Sequence, residues 1–285
     1  MAEAGTQKAW DGWVAPWHRR EDVEALAAAA REHPLTLADG LAWSLLLLGF
    51  VANAVLVLGV SAPYGRYSRK GWGPMLPARV AWVTQEAPSL LLPLYLLPGH
   101  RPECLRSPGT AALLTAFLAH YFHRAVVYPL GLRGGKPTPA AVWLLALAFC
   151  VYNGFLQGYQ LLRTKTCATP VDAEFVAGGV LWVAGLLINL HSDGILRALR
   201  KPGEKGHKIP KGGLFEYVSG ANFFGECVEW TGFALAARTL PAAAFAAFTW
   251  LNLGPRALQH HQFYLDKFKE EYPKLHRKAL VPFLL

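Results

Sequence analysis

Charged side chains are scarce in this chain. Asp, Glu, Lys and Arg make up 16% of its 285 residues and 53% are hydrophobic, whereas an ordinary soluble domain is about 25% charged. So little charge argues against a solvated globular surface and for a bilayer as solvent. No G-x-G-x-x-G follows a strand and no βαβ unit fits the pattern, so any nucleotide must be held by helices and loops. The four cysteines show no metal-ligand spacing. There is no convincing internal repeat. Residues 1–39 carry seven acidic and four basic residues and no apolar h-region, so no cleavable signal peptide is expected to open the chain.

Long apolar runs are what the chain has instead. Windows near the ~20 residues of a membrane span fall at about 41–60, 78–97, 110–130, 139–162, 175–196, 214–237 and 240–255, the last one short. The expected fold is an all-α integral membrane protein of about seven transmembrane helices. Residues 1–39 are an extension of unread role, with a surface helix expected over Glu21–Arg31, and residues 40–285 form the membrane domain. Alternate loops differ sharply in charge. Segments 61–77, 131–138, 197–211 and 255–285 total +13, and the other four total −1. Basic loops stay cytosolic, so the N-terminus is expected to be lumenal or extracellular and the C-terminus cytosolic. The same bias accounts for the net charge of +9 without nucleic acid, and no obligate protein partner is evident. Cys104 and Cys167 fall in two loops on the oxidising side. A disulfide between them is open, though nothing in the sequence fixes the loop geometry.

The polar residues of the apolar windows form stripes. Asn189, Asp193 and Arg197 are four apart, as are Arg256, His260 and Tyr264; Asn222, Glu226 and Glu229, and Tyr121, Arg124 and Tyr128, are spaced by three and four. Each set lies along one helix face. Ionisable groups are costly in a bilayer, so the stripes should face a shared interior. With the expected orientation they and Glu86 share the cytosolic half, giving one polar, cation-rich chamber open to the cytosol.

At these residues the chain resembles a family. PARVAWVTQEAPS (77–89), HYFHRAVVYP (120–129), NLHSDGILRALRKPG (189–203), IPKGGLFEYVSGANFFGE (209–226) and the tail from Arg256 look like a steroid 5α-reductase. The RGGKP run at 133–137 is more similar to the type 1 branch than to type 2. The resemblance covers about residues 60–285. It implies a multi-pass endoplasmic-reticulum enzyme that reduces the Δ4 double bond of 3-oxo-steroids with NADPH. By motif position, Glu86 and Tyr121 match the pair around the steroid 3-keto oxygen. Trp82, Gln85 and Phe149 match residues of the steroid pocket. Asn189, Asp193, Arg200, Asn222, Glu226, Arg256, His260 and Tyr264 match cofactor-contacting positions, with Arg124 and Tyr128 beside them. Leu132, Lys136, Leu145, His207, Asn252 and Gln259 depart from the family pattern and bear on substrate preference within the family more than on the reaction.

Enone reduction delivers hydride to the β-carbon while negative charge builds on the carbonyl oxygen, and donors aimed at that oxygen stabilise the transition state. Glu86 stands eight residues after Ala78, roughly 12 Å along its helix. An unpaired carboxyl there is expected to be neutral and able to donate a hydrogen bond, as the Tyr121 phenol can. The competing reading makes Glu86 a structural carboxyl. Arginines suit the cofactor's phosphates, and the lysines of loop 201–213 read as ordinary positive-inside sequence. Asn189, His191, Asp193 and His260 could instead bind a metal or simply hydrogen-bond across helices; their spacings match no strong zinc motif, and no metal is expected. Glu229 and His123 read as packing residues. Reduction of another lipid double bond, in a polyprenol or enoyl chain, is the alternative enzyme. A transporter would place charge pairs near the midplane in repeated halves, which this chain does not show.

Overall fold

The seven apolar windows become seven long helices among the residues that the computed structural model describes: 36–132, 134–199, 204, 206–272 and 277–285. They are α1 (Leu37–Val57), α2 (Ala78–Leu96), α3 (Pro108–Phe122), α4 (Ala140–Arg163), α5 (Ala173–Ala198), α6 (Ala221–Ala237) and α7 (Leu240–Phe268). The expected Glu21–Arg31 helix, Arg200, and residues 201–203 and 205 of the basic loop lie outside the described residues. By length and composition α1, α4 and α5 are apolar enough to cross a membrane. Their outward faces carry Leu47, Phe50, Leu144, Val180 and Leu187 exposed, as expected where lipid rather than water is the solvent.

Local chemistry sets the helix ends. Thr36 caps α1: its Oγ1 accepts from the Asp39 amide at 3.2 Å, and the Asp39 carboxylate accepts from the Thr36 amide at 3.1 Å, a reciprocal capping box. The helix therefore starts at Leu37, slightly before the expected boundary at residue 40. Asp172 caps α5 by accepting from the Phe175 amide at 3.0 Å. That bond and the Arg238 guanidinium, 2.7 Å away, hold the Asp172 carboxyl below its ordinary range.

Two helices depart from the sequence expectation, each at a proline. The seventh window looked short, yet α7 runs 29 residues through Pro255. Proline cannot donate to the carbonyl four residues back, and here that Leu251 carbonyl accepts instead from Asn53 Nδ2 of α1 at 2.9 Å. In the third window α3 gives way to a π-turn over His123–Val127, closed by the Tyr128 amide donating to the His123 carbonyl. Pro129 follows with no N–H to continue the α-helical ladder, so the Tyr121–Arg124–Tyr128 stripe is not carried on a regular helix throughout.

Glycines let the helices approach closely. On α5 and α6 they stand seven apart, at Gly178 and Gly185 and at Gly225 and Gly232. A Cβ on Gly178 would meet the Ala236 nitrogen at 2.5 Å, and one on Gly225 the Asn189 nitrogen at 2.5 Å; Gly185 and Gly232 face the backbone of Glu229 and Trp182 more closely still. Small residues at such crossings are how helices pack where no hydrophobic effect drives them together. Gly154 does the same for α4 against Ser89 of α2.

The bundle has two distinct ends. At one, a Cys104–Cys167 disulfide joins the α2–α3 and α4–α5 connections, making the pairing that the sequence left open. Ser107 and Thr110 donate to the Thr169 and Cys167 carbonyls beside it. The polar stripes gather at the other end, under a two-stranded antiparallel ribbon pairing Met75 with Pro139.

Replacing Gly185 by Ala is expected to lower the melting temperature in detergent, since overpacking a tight contact costs about 1–3 kcal/mol. Gly194→Ala on the same helix, where a Cβ meets nothing within 4 Å, should leave it unchanged or raised. Equal melting temperatures would show that the α5–α6 crossing tolerates a methyl group.

Candidate functional site

Arg124 sits at the centre of the polar end. Its position in the π-turn aims it between α2 and α5, where Nη2 is 3.9 Å from Glu86 Oε1 and Nη1 donates to Asp193 Oδ2 at 3.4 Å. Its plane lies over Trp82 at 4.8 Å and Tyr128 at 4.9 Å. Glu226 of α6 acts electrostatically on the same guanidinium. Glu86 is therefore not the unpaired carboxyl expected from the sequence. Three carboxyls face one arginine here, with Arg197 over the Tyr128 ring at 5.8 Å, so this part of the chamber is acidic rather than cation-rich.

Amides adjoin the cluster. Asn222 Nδ2, in the first turn of α6, donates to Asp193 Oδ1 at 3.1 Å. One turn back on α5, Asn189 Nδ2 donates to the Asn222 carbonyl at 3.0 Å. The other amide atom, Asn189 Oδ1, is buried without a partner. An acceptor left so costs about 1–3 kcal/mol, and a ligand N–H would satisfy it.

Cations collect on the other side of the start of α6. Asn222 reaches Asp193, while the ring of its neighbour Phe223 lies under Arg256 at 4.8 Å and 5.1 Å from His260. Arg256 also covers Tyr64 at 4.9 Å and donates to Asn252 at 3.2 Å. Arg66, from the α1–α2 connection, donates to the Tyr264 hydroxyl at 3.1 Å and stacks on its ring. Its Nη1 is buried with no partner. Tyr64, Arg66, Tyr67, Arg256, Gln259 and His260 line a cavity of about 80 Å³. Burial pushes the Tyr67 phenol above its ordinary range, and it stays a donor, reaching the Gln259 carbonyl at 3.0 Å.

The two residues of the expected keto-binding pair each touch one face of α4. Cys150 Sγ approaches Glu86 Oε2 at 3.7 Å, and three residues on, Asn153 Nδ2 donates to the Tyr121 hydroxyl at 3.5 Å. Tyr121 is buried against Phe117 and Trp230. Of the expected pocket residues, Gln85 is buried next to Glu86, Trp82 is engaged with Arg124, and Phe149 stacks on Phe248 of α7 at 4.5 Å. Among the departures, Leu145 points outward and Asn252 holds Arg256, while Gln259 lines the cavity.

Most of the expected site residues thus come together. Glu86, Arg124, Tyr128, Asn189, Asp193, Asn222 and Glu226, with Trp82, form one cluster, and Arg256, His260 and Tyr264 form a second. Arg200 lies outside the described residues. The sequence reading did not single out Arg66, Tyr64, Tyr67 or Asn153. The loop residues belong to no helical stripe, and Arg66 was counted only as positive-inside charge. Only Tyr67 and Ser68 separate it from Arg69, so no sequence signal sets it apart. Among the described residues no three His, Cys, Asp or Glu side chains are grouped to hold a metal ion.

This arrangement has close relatives. A family model described as 3-oxo-5-alpha-steroid 4-dehydrogenase matches residues 136–285. The chain is 50% identical over 253 residues to 3-oxo-5-alpha-steroid 4-dehydrogenase 1 of Bos taurus, covering 87% of this chain and 97% of that protein. It is 51% identical to the type 1 protein of Homo sapiens over 223 residues, covering 78% and 85%. The type 2 protein of Rattus norvegicus is 47% identical over 241 residues, covering 83% and 93%. The chain belongs to the 3-oxo-5-alpha-steroid 4-dehydrogenase family, a family of enzymes, and stands nearer its type 1 members than type 2.

Proposed function

We infer that this enzyme reduces the Δ4 double bond of 3-oxo-Δ4-steroids, such as testosterone and progesterone, at the expense of NADPH. The observation that carries the reading is the placement of Glu86 and Tyr121 against one face of α4, beside a cluster that suits the hydride-bearing half of the cofactor. Held by this cluster, NADPH would supply a hydride to C5 of the steroid. The C4–C5 π electrons then move toward C3, charge gathers on the 3-keto oxygen, and a proton completes C4. Glu86 and Tyr121 are the donors to that oxygen. The 3.9 Å separation of Arg124 from Glu86 exceeds hydrogen-bond length, so the guanidinium does not occupy the carboxyl by hydrogen bonding. Trp82, Gln85 and Phe149 line the steroid side.

The residues present fit the cofactor. The unpartnered Asn189 Oδ1 suits the N–H of a carboxamide, and Asp193, Asn222 and Glu226 suit ribose hydroxyls. The unpartnered Arg66 Nη1, with Arg256, suits phosphate. Arg124 and Tyr128 brace the first group, His260 and Tyr264 the second, and Arg200 joins the phosphate side by its motif position.

The enzyme is placed in the endoplasmic-reticulum membrane with seven spans, a lumenal N-terminus and a cytosolic C-terminus. Two independent observations support this orientation: the loop charges, and a disulfide that lies in the two loops expected on the oxidising side. A glycosylation acceptor added at the N-terminus should be modified in microsomes and one at the C-terminus should not; the reverse pattern would overturn the topology.

Membranes expressing the protein should convert labelled testosterone and NADPH to a 5α-dihydro product, and no conversion would sink the reading. Glu86→Gln and Tyr121→Phe should each lower the turnover number by the ~10²–10³-fold typical of losing one oxyanion donor, with NADPH binding retained.

Arg66→Ala should raise the Michaelis constant for NADPH roughly ten- to a hundredfold, the equivalent of a charged hydrogen bond of about 1.5–3 kcal/mol. The constant for steroid should barely move. Unchanged NADPH dependence in folded protein removes Arg66 from the site.

A further inference from the structure

Behind Tyr121 lies a polar pair that the chemistry above does not use. His120 Nδ1 is 2.7 Å from Glu229 Oε1, with the side chains 3% and 0% exposed. Glu229 Oε2 is buried with no partner. The pair bridges α3 and α6 inside an aromatic core, the imidazole edge-on to Trp230 at 4.6 Å and to Tyr121 at 5.1 Å. Trp230 in turn stacks on Tyr121 at 6.0 Å.

Stability does not account for it. Burying an acid and an imidazole costs several kcal/mol per ionised group, and a well-packed apolar pair commonly holds two helices as well or better. In a membrane bundle such groups are costly and therefore functional by default. Position along α3 suggests the use. Three residues after His120 the helix leaves α geometry for the π-turn over His123–Val127, so its rotation just before that turn needs to be fixed from outside. A directional bond from His120 to Glu229 of α6 fixes it, and Tyr121 is the next residue. A reacting group displaced by about 1 Å can cost 10²-fold in rate.

We propose that His120 and Glu229 are positioning residues for the Tyr121 hydroxyl, setting the rotation of α3 so that the phenol stays aimed at the steroid carbonyl. This rests on Tyr121 acting as a donor in steroid reduction. Both side chains are buried in the aromatic core and are given no contact with substrate or cofactor in the proposed reaction.

The test is a double-mutant cycle on the full-length enzyme in nanodiscs, with steroid and NADPH saturating. The first change replaces the whole pair, His120→Phe with Glu229→Leu, so that no buried charge is left alone; the second is Tyr121→Phe. With Tyr121 present, replacing the pair should lower the turnover number ten- to a hundredfold, leave the NADPH dissociation constant within about twofold, and keep or raise the melting temperature. With Tyr121→Phe already made, the same replacement should change turnover less than twofold. Glu229→Gln, which retains a hydrogen bond to His120, should stay within about threefold of the parent, and decides the matter alongside His120→Phe alone should the paired replacement not fold: the first near-normal, the second impaired only where Tyr121 is present. An equal loss in both backgrounds overturns the inference and leaves the assignment of Tyr121 standing, since a general structural role is additive. No loss in either background, with Tyr121→Phe itself strongly impaired, does the same. Near-normal turnover in Tyr121→Phe alone overturns both.

Discussion

The close crossing of α5 and α6 is the constraint on which the polar end depends. Four glycines remove the side chains that would hold the two backbones apart. At the separation that results, a short Asn189 side chain reaches the carbonyl of Asn222, and the Asn222 amide reaches Asp193. A wider crossing would break both bonds and leave the asparagines to water or lipid. The same crossing seats Glu229 with its backbone against Gly185, turned toward α3 and His120. One packing decision, made by residues with no chemistry of their own, thus places a carboxyl, two amides and the pair behind Tyr121.

Arginine rather than lysine at position 124 follows from the geometry of what surrounds it. A planar guanidinium can lie over Trp82 and Tyr128 while its edge serves carboxyls on two different helices. A lysine ammonium is a single, strongly hydrated point charge with no planar face to stack. The arginine therefore joins the π-turn to α2 and α5. The π-turn widens the helix at that residue, which agrees with the tendency of such turns to occur at functional sites.

Much of this was legible in the sequence. Spacings of four place Asn189 with Asp193 and Arg256 with His260 on one face each, because a helix turns the same whatever surrounds it. The capping box of Thr36 and Asp39 is equally local, yet the apolar window alone put that helix start a few residues late. What stayed hidden depends on distant residues. The extension of α7 past Pro255 requires Asn53, about two hundred residues away, to take the freed carbonyl. Arg124 as the partner of Glu86 requires knowing that α2 and α3 are neighbours. Arg66 sits in a connection with no period to reveal a face, so its place beside Arg256 is a fact of tertiary structure alone.

The separation of acid from base around the start of α6 has an electrostatic consequence for a bound dinucleotide. Two unit charges 6 Å apart interact by about 3 kcal/mol at an effective dielectric constant near 20. A phosphate brought beside Asp193 and Glu226, with Glu86 neutral as a donor, would meet more repulsion from the two carboxylates than Arg124 alone offsets. Beside Arg66 and Arg256 it meets two guanidiniums, one with a buried N–H still to be satisfied. Asn222 and Phe223 are consecutive residues facing opposite sides of this boundary. On the proposed reading, the orientation of the cofactor, hydride end toward Tyr121 and phosphates toward α7, would follow from charge before any hydrogen bond selects it. The acidic cluster is thereby left to hold hydroxyls, amides and the reacting carbonyl, which are neutral in the ground state.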